Sequence, residues 1–225
     1  MKKIGTIAAV AVALIVGAFA GYWLMYPTYS HRYRLTLEVE TPDGLKKGSS
    51  VMESRVRAEP HVLPNVGAVT SFDGDAVFVD LGGGKNLIGL LAVGMVQGSE
   101  GLVRAAIKTF DIPTDCGKPF CQWKLIAETN GARDLPPELT PLLATMGNVR
   151  DPKSTRVVKP DEFGAVFGPG YRLKRAWIEM TSDPVTRGIQ ERLPWLAGFK
   201  GLTGGGSNFH PGNPGQNLTA NHFVR

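Results

Sequence analysis

The sequence predicts an α+β protein, with an N-terminal transmembrane helix followed by a mainly antiparallel β domain with one or two helices. Residues 4–26 carry no charge, and several later segments alternate apolar and polar residues with the period of a β-strand. The 28 Gly and 16 Pro residues indicate many turns between such segments. We therefore expect a cytoplasmic tail (1–3), a transmembrane helix (4–26), one extracytoplasmic domain (27–200) and a Gly/Asn/Pro-rich tail (201–225).

The apolar segment 4–26 is long enough to cross a bilayer as a helix. Its 23 residues would extend ~34 Å, which exceeds the ~30 Å of a typical hydrocarbon core. Tyr22, Trp23 and Tyr26 cluster at its end, where aromatic rings favour the headgroup zone. Pro27 then ends the helix.

Two alternatives to an anchor are a cleaved signal peptide and a buried core helix. Ala18-Phe19-Ala20 resembles a small-residue cleavage site. The apolar run continues past that site, however, and exceeds the roughly 7 to 15 residues of a signal-peptide core. The uninterrupted lack of charge over this length favours a membrane helix over a core helix.

The charges that flank the anchor are nearly balanced, since Lys2 and Lys3 precede it while His31, Arg32 and Arg34 follow it. A very short tail before a signal-like run usually stays inside the cell. We therefore expect a single-pass protein of the bacterial inner membrane whose domain lies in the periplasm.

Small residues follow each other at every fourth position along the anchor. Gly17 and Gly21 form a GxxxG pair, the spacing that lets two membrane helices approach closely. This pattern predicts a homodimer through the Gly17/Gly21 face, although Gly and Ala are also simply common in such helices.

The formal net charge of +5 is unevenly distributed. Residues 27–149 hold 12 basic and 14 acidic side chains, whereas residues 150–225 hold 11 and 6. A basic C-terminal third would suit anionic lipid headgroups, but the two signs remain interspersed, which also fits a solvated surface. We expect no nucleic-acid partner.

Cys116 and Cys121 are the only cysteines, and four residues separate them. This spacing is not the CxxC of a redox or zinc site. A close pair in an oxidising compartment is most simply a loop-closing disulfide, with free buried thiols and metal or redox chemistry as the alternatives.

Alternating patterns predict two hairpins, and three further segments predict helices or strands. The hairpins comprise residues 34–40 with 49–58, across a turn at 41–44, and residues 75–81 with 86–93. We also expect a helix over 99–110, a short strand over 123–129, a short helix or extended segment over 136–146, a strand with a bulge over 171–181 and a helical turn over 187–193.

Two segments together resemble a family of membrane-anchored bacterial proteins of alphaproteobacterial type that has no assigned activity. They are YRLTLEVETPDGLKKGSSVMES, residues 33–54, and FGPGYRLKRAWIEMTSDPVTRGIQERLPWL, residues 167–196. The resemblance implies an inner-membrane setting, and it carries over no activity, cofactor or catalytic residue.

Local catalytic motifs are absent from the sequence. Residues 82–85 read GGGK, but the Ser or Thr and the helix of a phosphate-binding loop do not follow, so we interpret them as a hairpin turn. Asp73, Asp75 and Asp80 are not accompanied by the other ligands of a calcium-binding loop. We therefore interpret them as turn residues. GxSxG, SxxK and HExxH do not occur, so we expect no cofactor and lean against an enzyme.

The leading expectation is a membrane-tethered periplasmic binding or scaffold module. The alternatives are an envelope hydrolase with a site assembled from dispersed residues, and a domain that binds lipid headgroups. A hydrolase should have a pocket that brings a nucleophile within hydrogen-bonding reach of a base. A headgroup binder should gather the basic residues of 150–225 on one surface. His210 and His222 lie in the C-terminal tail, which we expect to be solvated.

Overall fold

The chain folds into two antiparallel sheets that pack against each other, with short helices at their margins. The structure is a computed structural model that describes residues 12–22, 26–58, 68–93, 100–118, 120–198 and 218–225. The predicted α+β class with mainly antiparallel strands and few helices is confirmed. The strands are β1 Thr28–Thr41, β2 Gly44–Ala58, β3 Ala68–Asp73, β4 Val77–Gly82, β5 Lys85–Val93, β6 Ala132–Asp134, β7 Pro141–Met146, β8 Thr155–Val157 and β9 Arg172–Met180.

The larger sheet has the strand order β3-β2-β1-β9-β6, with β1 at its centre. The predicted first hairpin is confirmed and is tighter than expected, because Thr41 pairs with Gly44 across a turn of only Pro42 and Asp43. The core face of β1 carries Leu35, Leu37 and Val39, as the alternation predicted. Its other face is charged, and part of it is also buried.

The smaller sheet has the strand order β4-β5-β7-β8. The second predicted hairpin, β4 with β5, is confirmed, and residues 82–85 form its turn as interpreted. Asn86 is buried in β5 and bonds to the backbone of Met146, donating through Nδ2 to the carbonyl oxygen (2.8 Å) and accepting at Oδ1 from the N–H (2.9 Å). This amide extends the regular part of the pairing between β5 and β7, in which Ile88 faces Ala144.

The two sheets approach most closely where glycines remove side chains from the contact. A Cβ on Gly48 of β2 would overlap the backbone carbonyl of Phe78 in β4. Gly89 of β5 leaves room in the same way for the Cδ1 atom of Leu37. Gly48 thus brings backbone against backbone, while Gly89 admits a side chain of the facing sheet, and the buried apolar residues of the two sheets form one core.

Six α-helices are found among the described residues, and all are short. They are α1 over residues 12–22, α2 Glu100–Val103, α3 Ala105–Thr109, α4 Cys121–Ala127, α5 Phe163–Phe167 and α6 Ile189–Arg192. The helix predicted over 99–110 is present as α2 and α3, which are interrupted at Arg104. Ser99, the first residue of the predicted helix, lies outside the described residues.

The short strand predicted over 123–129 is wrong, because this segment belongs to α4. Trp123 and Ile126 are both buried, and a spacing of three residues places them on one helix face, whereas a strand would point them to opposite faces. Leu125, which a strand would have put beside Trp123, is 39% exposed. Helix α4 packs on β1.

The remaining predictions for the second half are largely confirmed. The segment 136–146 contains a 3-10 turn, Pro137–Leu139, followed by strand β7. The bulge expected in β9 occurs at Lys174, because Glu38 faces Arg175 while Val39 faces Leu173. The helical turn over 187–193 is α6.

The described part of the predicted anchor is α1. All of its residues are exposed, including Leu14 at 69% and Ile15 at 68%. Residues 4–11 and 23–25 of the predicted span lie outside the described residues. Within the part of the chain that the structure describes, no helix combines the length and the hydropathy needed to cross a membrane.

The last eight residues differ from the solvated tail that the sequence suggested. Leu218, Ala220 and Phe223 are fully buried or nearly so, and the ring of Trp195 packs edge to face on Phe223 at 5.1 Å. The backbone of Arg225 exchanges two hydrogen bonds with Gly74. Residues 218–225 therefore belong to the folded domain, while 199–217 lie outside the described residues.

Candidate functional site

A cleft of about 280 Å³ opens at the edge of β2, between the start of β4 and the segment that leads into α6. We call it the Asp75 cleft. Its charged side chains are Lys47, Asp75, Asp80, Arg187 and Arg192, and Ser49, Thr186 and the Phe78 ring also line it. The cleft thus combines three cations, two carboxyl groups and two hydroxyl groups in a small volume.

Asp75 is held rigidly at the cleft by contacts from three parts of the chain. Its Oδ2 accepts a hydrogen bond from the backbone N–H of Ile189 (2.9 Å), and its carbonyl oxygen accepts one from the Ser50 hydroxyl (2.6 Å). Its backbone bridges to Val224. Only 1% of the residue is exposed, and Oδ1 has no hydrogen-bond partner among the described residues.

The surroundings of Asp75 disfavour its negative charge. Burial, and to a smaller extent the charge of Asp73, raises the pKa of this carboxyl, and the backbone N–H groups of Ile189 and Gly188 together with the charge of Arg187 offset only part of that rise. An unpartnered, buried carboxylate oxygen is costly because neither water nor a protein donor replaces its lost hydration. Asp75 is therefore a carboxyl group that holds its proton to higher pH than an exposed aspartate.

Arg187 connects the cleft to the neighbouring acidic group. Its guanidinium pairs with Asp73 at 2.5 Å and also donates to the carbonyl oxygen of Arg225. Burial raises the pKa of Asp73, but hydrogen bonds and charge from Arg187 and Arg55 outweigh it and hold that pKa below its usual range. The guanidinium of Arg187 is therefore already occupied by its ion pair with Asp73.

Lys47 and Arg192 differ in how fully they are paired. Lys47 forms an ion pair with Glu38 (2.7 Å) and lies over the Trp177 ring at 5.5 Å. Arg192 lies 5.8 Å from the Phe78 ring centroid and forms no ion pair with any described residue. Of the cations that line the cleft, Arg192 therefore has the most freedom to bind an incoming anion.

Residues 181–188 bring α6 to the cleft by crossing the charged face of the larger sheet. The backbone N–H of Thr181 donates to the carbonyl oxygen of Arg32 at 3.1 Å, and Asp183 pairs with Arg34. At the far edge, Thr186 and Val51 exchange two hydrogen bonds of 3.0 and 2.8 Å. This crossing covers Glu53, which is only 5% exposed and is paired with Arg32.

The described residues do not assemble the site expected of a hydrolase. Ser49 lines the cleft, but no histidine does, and no described base bonds to its hydroxyl. Elsewhere, Thr219 Oγ1 lies 3.0 Å from His222 Nδ1, but that nitrogen also accepts the backbone N–H of Thr219. The contact therefore caps a 3-10 turn, and His222 is buried rather than solvated. His210 lies outside the described residues.

A second buried polar pair lies under α4. His31 of β1 is directly opposite Ser54 of β2, so both side chains point to the same face of the sheet. They are 5% and 0% exposed, and neither the imidazole nitrogens nor the hydroxyl has a hydrogen-bond partner in the described part of the chain. Burial lowers the pKa of His31 to about 4. The pair is neither accessible nor joined as a nucleophile and base would be.

The site residues predicted from the sequence lie apart from the cleft. Cys116 and Cys121 are at disulfide-bonding distance, with their Cα atoms 6.0 Å apart, just before and at the start of α4. Gly17 and Gly21 are in α1, and a Cβ on either would meet no atom within 4 Å. Among the described residues, no group of three potential ligands has the arrangement of a metal site.

Part of the positive charge in the basic C-terminal third is neutralised by ion pairs. Arg172 pairs with Glu40, Lys174 with Glu38, and Arg175 with Asp134. Arg187 is committed in the same way to Asp73. Four of the eleven basic residues of 150–225 are therefore paired with acidic residues, whereas Arg150, Lys153, Arg156 and Lys159 are exposed.

Sequence reasoning assigned Asp75 to a turn and gave Arg192 no role. Asp75 and its partner Ile189 are 114 residues apart, so no local pattern connects them. The chain matches no protein-family model, no curated protein and no solved structure.

Proposed function

We propose that this chain is a single-pass, membrane-tethered binding module of the bacterial inner membrane, whose periplasmic domain holds a small polar ligand in the Asp75 cleft. The observation that carries the proposal is the cleft itself. It places Arg192, which has no ion pair among the described residues, and a buried, incompletely hydrogen-bonded Asp75 around one small concave volume. Small-molecule sites characteristically combine a concave, partly apolar lining with a few convergent polar groups.

The tether rests on the sequence together with the surroundings of α1. A helix that is apolar on all sides requires an apolar environment around it. The eleven residues of α1 are exposed on every side, and the apolar sequence extends beyond them in both directions, from 4 to 26. A lipid bilayer supplies that environment, and the resemblance to membrane-anchored bacterial proteins agrees with it.

The tether is tested by locating the full-length chain and its Leu14→Arg variant. Arg at the centre of a membrane helix costs roughly 2.5 to 3.5 kcal/mol of insertion free energy, so the variant should shift towards the soluble fraction. Leu14→Ile is the matched control and should remain in the membrane. A reporter fused after Arg225 should be active only outside the cytoplasm; activity in the cytosol, or a parent chain that stays soluble, would contradict the proposal.

The binding site is tested with the full chain in phosphatidylcholine nanodiscs. A panel of small carboxylates, phosphates, amino acids and sugars is screened by the shift in thermal unfolding, because a ligand that binds only the native state raises stability. Ser49→Trp fills the cleft from an exposed β2 position. Thr70→Trp, at an exposed β3 position away from the cleft lining, is its control.

At least one class in the panel should stabilise the parent and Thr70→Trp but not Ser49→Trp. If no member of the panel stabilises the parent, or if Ser49→Trp responds as the parent does, the cleft is not the binding site.

A further inference from the structure

The charges around the Asp75 cleft indicate which ligand it favours. Lys47 is paired with Glu38 and Arg187 with Asp73, so these cations contribute positive potential without being free for a new contact. Arg192 is exposed and has no ion pair among the described residues. A planar guanidinium presents several donors in a fork that matches carboxylate and phosphate oxygens.

The acidic groups of the cleft decide whether an anion is tolerated there. Asp80 is exposed at the rim, and its Oδ1 accepts the N–H of Gly82 at 2.9 Å. Asp75 is at the buried end of the cleft, and its Oδ1 has no donor in the described part of the protein. A proton on Oδ1 would remove the charge that most directly opposes a bound anion, and it would also relieve the cost of the buried carboxylate.

We propose that the Asp75 cleft binds a small anion, presented as a carboxylate or phosphate group, through Arg192, and that Asp75 is protonated while the anion is bound. This inference rests on the proposed function, because it names the ligand class of the same cleft. Of the charged groups, Arg187 and Asp73 act directly on Asp75, while Lys47, Asp80 and Arg192 line the same cleft. Asp73 is neutralised by Arg187, so the remaining negative groups are Asp80 at the rim and Glu191, which lies beside Gly188; the others are positive and therefore compatible with an anion.

A measurable consequence is that anion binding to the cleft and protonation of Asp75 favour each other. Because like charges destabilise each other, an anion near Asp75 favours the protonated form, whose population grows as the pH falls. Burial already raises the pKa of this carboxyl, so protonation is accessible at pH values above those at which exposed aspartates titrate. Above the pKa of Asp75, affinity for the anion should fall by up to about tenfold per pH unit, the limit for one linked proton.

The experiment is calorimetric titration of the full chain in phosphatidylcholine nanodiscs with sulfate and with trifluoroacetate. Neither probe changes its charge between about pH 5 and pH 8, so any pH dependence belongs to the protein. Titration in two buffers of different ionisation enthalpy counts the protons taken up by the parent chain, which needs no variant. Binding should tighten as the pH falls, with an uptake that approaches one proton for each anion.

Three variants separate the two parts of the inference. Arg192→Gln should weaken binding of both probes by tenfold or more, whereas Arg156→Gln, an exposed arginine on β8, should leave it unchanged. Asp75→Asn imitates the protonated acid and should bind the anions tightly at every pH with no proton uptake. Near-UV circular dichroism verifies that each variant keeps the native packing.

Different failures point to different causes. If neutral or cationic members of the panel bind in the cleft but sulfate and trifluoroacetate do not, the anion class is wrong while the proposed binding module stands. If the anions bind without proton uptake in the parent chain, the role of Asp75 is wrong. If nothing binds, the proposed function itself fails, and this inference fails with it.

The source of the anion is tested by adding phosphatidylglycerol to the nanodiscs. Weaker sulfate binding in those discs, measured at an ionic strength that screens the negative disc surface, would identify a lipid phosphodiester as the occupant, because it competes for the same cleft. Unchanged binding would identify a soluble anion. Either result supports the anion class, provided that Arg192→Gln removes the effect.

Discussion

His31 packs against the Trp123 ring with the ring centroids 5.4 Å apart, while neither imidazole nitrogen bonds to a described residue. The histidine therefore contributes to the core as a neutral, apolar ring under α4. Burial lowers its pKa from 6.5 to about 4, because charging the ring in this environment forfeits hydration that no partner replaces.

Acid should destabilise the domain through His31. The folded-state pKa lies below the unfolded value, so the contribution of neutral His31 is complete above about pH 6.5 and is lost as the pH falls towards about 4. The difference between the unfolded pKa of 6.5 and the folded pKa of about 4 corresponds to roughly 3 kcal/mol of stability. Urea unfolding of the full chain in detergent, measured across this pH range, should show that loss in the parent.

His31→Leu should remove most of this pH dependence even if it changes the stability at neutral pH. Ser54→Ala, the control at the facing position, removes a buried hydroxyl without a described partner and should keep the acid sensitivity. If His31→Leu loses stability as steeply as the parent between pH 6.5 and 4, other groups cause the acid response.

The hairpins were predictable because the information that specifies them is local. Leu35, Leu37 and Val39 alternate with polar residues, and the turn follows directly in the sequence. The same alternation does not reveal that Glu38, on the opposite face, is only 6% exposed. That burial follows from pairing with Lys47 and with Lys174 of β9, a strand far along the chain.

The candidate site depends even more on distant residues. The sequence around Asp75 favours a turn, because Asp73 and Gly74 directly before it are typical turn residues. Its burial arises only when Ile189 and Val224 fold onto it. The strand predicted in place of α4 was wrong for a different reason. A helix of 7 residues is too short for its apolar periodicity to be distinguished from that of a strand.

The close approach of the two sheets gives a sharp stability prediction. Gly48→Ala would place a methyl group against the backbone carbonyl of Phe78, which cannot rotate away as a side chain can. Overpacking of this kind typically costs about 1 to 3 kcal/mol. The free energy of unfolding by urea should fall accordingly, with unchanged slope against denaturant.

Gly164→Ala is the matched control for that variant. Gly164 is an exposed residue in α5, and a Cβ there would meet no atom within 4 Å. Ala is favoured over Gly in a helix, so this variant should be neutral or slightly more stable. If Gly48→Ala unfolds with the same free energy as the parent and Gly164→Ala, the sheets tolerate the extra methyl group at Gly48 and the prediction is wrong.

Removing the cysteine pair should lower stability modestly. A bond between Cys116 and Cys121 joins two residues that are only five positions apart in sequence. For so small a ring, the chain-entropy model gives a stabilisation of about 2 kcal/mol. The double variant Cys116→Ser/Cys121→Ser should therefore unfold at lower denaturant, and addition of a reductant to the parent should have a similar effect.

Thiol labelling of exported, full-length protein checks the premise of that prediction. Neither cysteine should react with a thiol reagent under denaturing, non-reducing conditions, and both should react after reduction. Two reactive thiols without reductant would exclude the disulfide, and would also remove one of the reasons to place the domain in an oxidising compartment.

The Gly17/Gly21 face of α1 predicts a homodimer in the membrane. Both positions have open space where a side chain would lie, so a larger residue leaves the isolated helix undisturbed and blocks only the approach of a second one. Gly17→Leu/Gly21→Leu should abolish energy transfer between donor-labelled and acceptor-labelled copies in nanodiscs. Ala18→Leu adds similar bulk about 100° around the helix and should leave the transfer intact. Absence of transfer in the parent, or equal loss in both variants, would show that this face does not pair two copies.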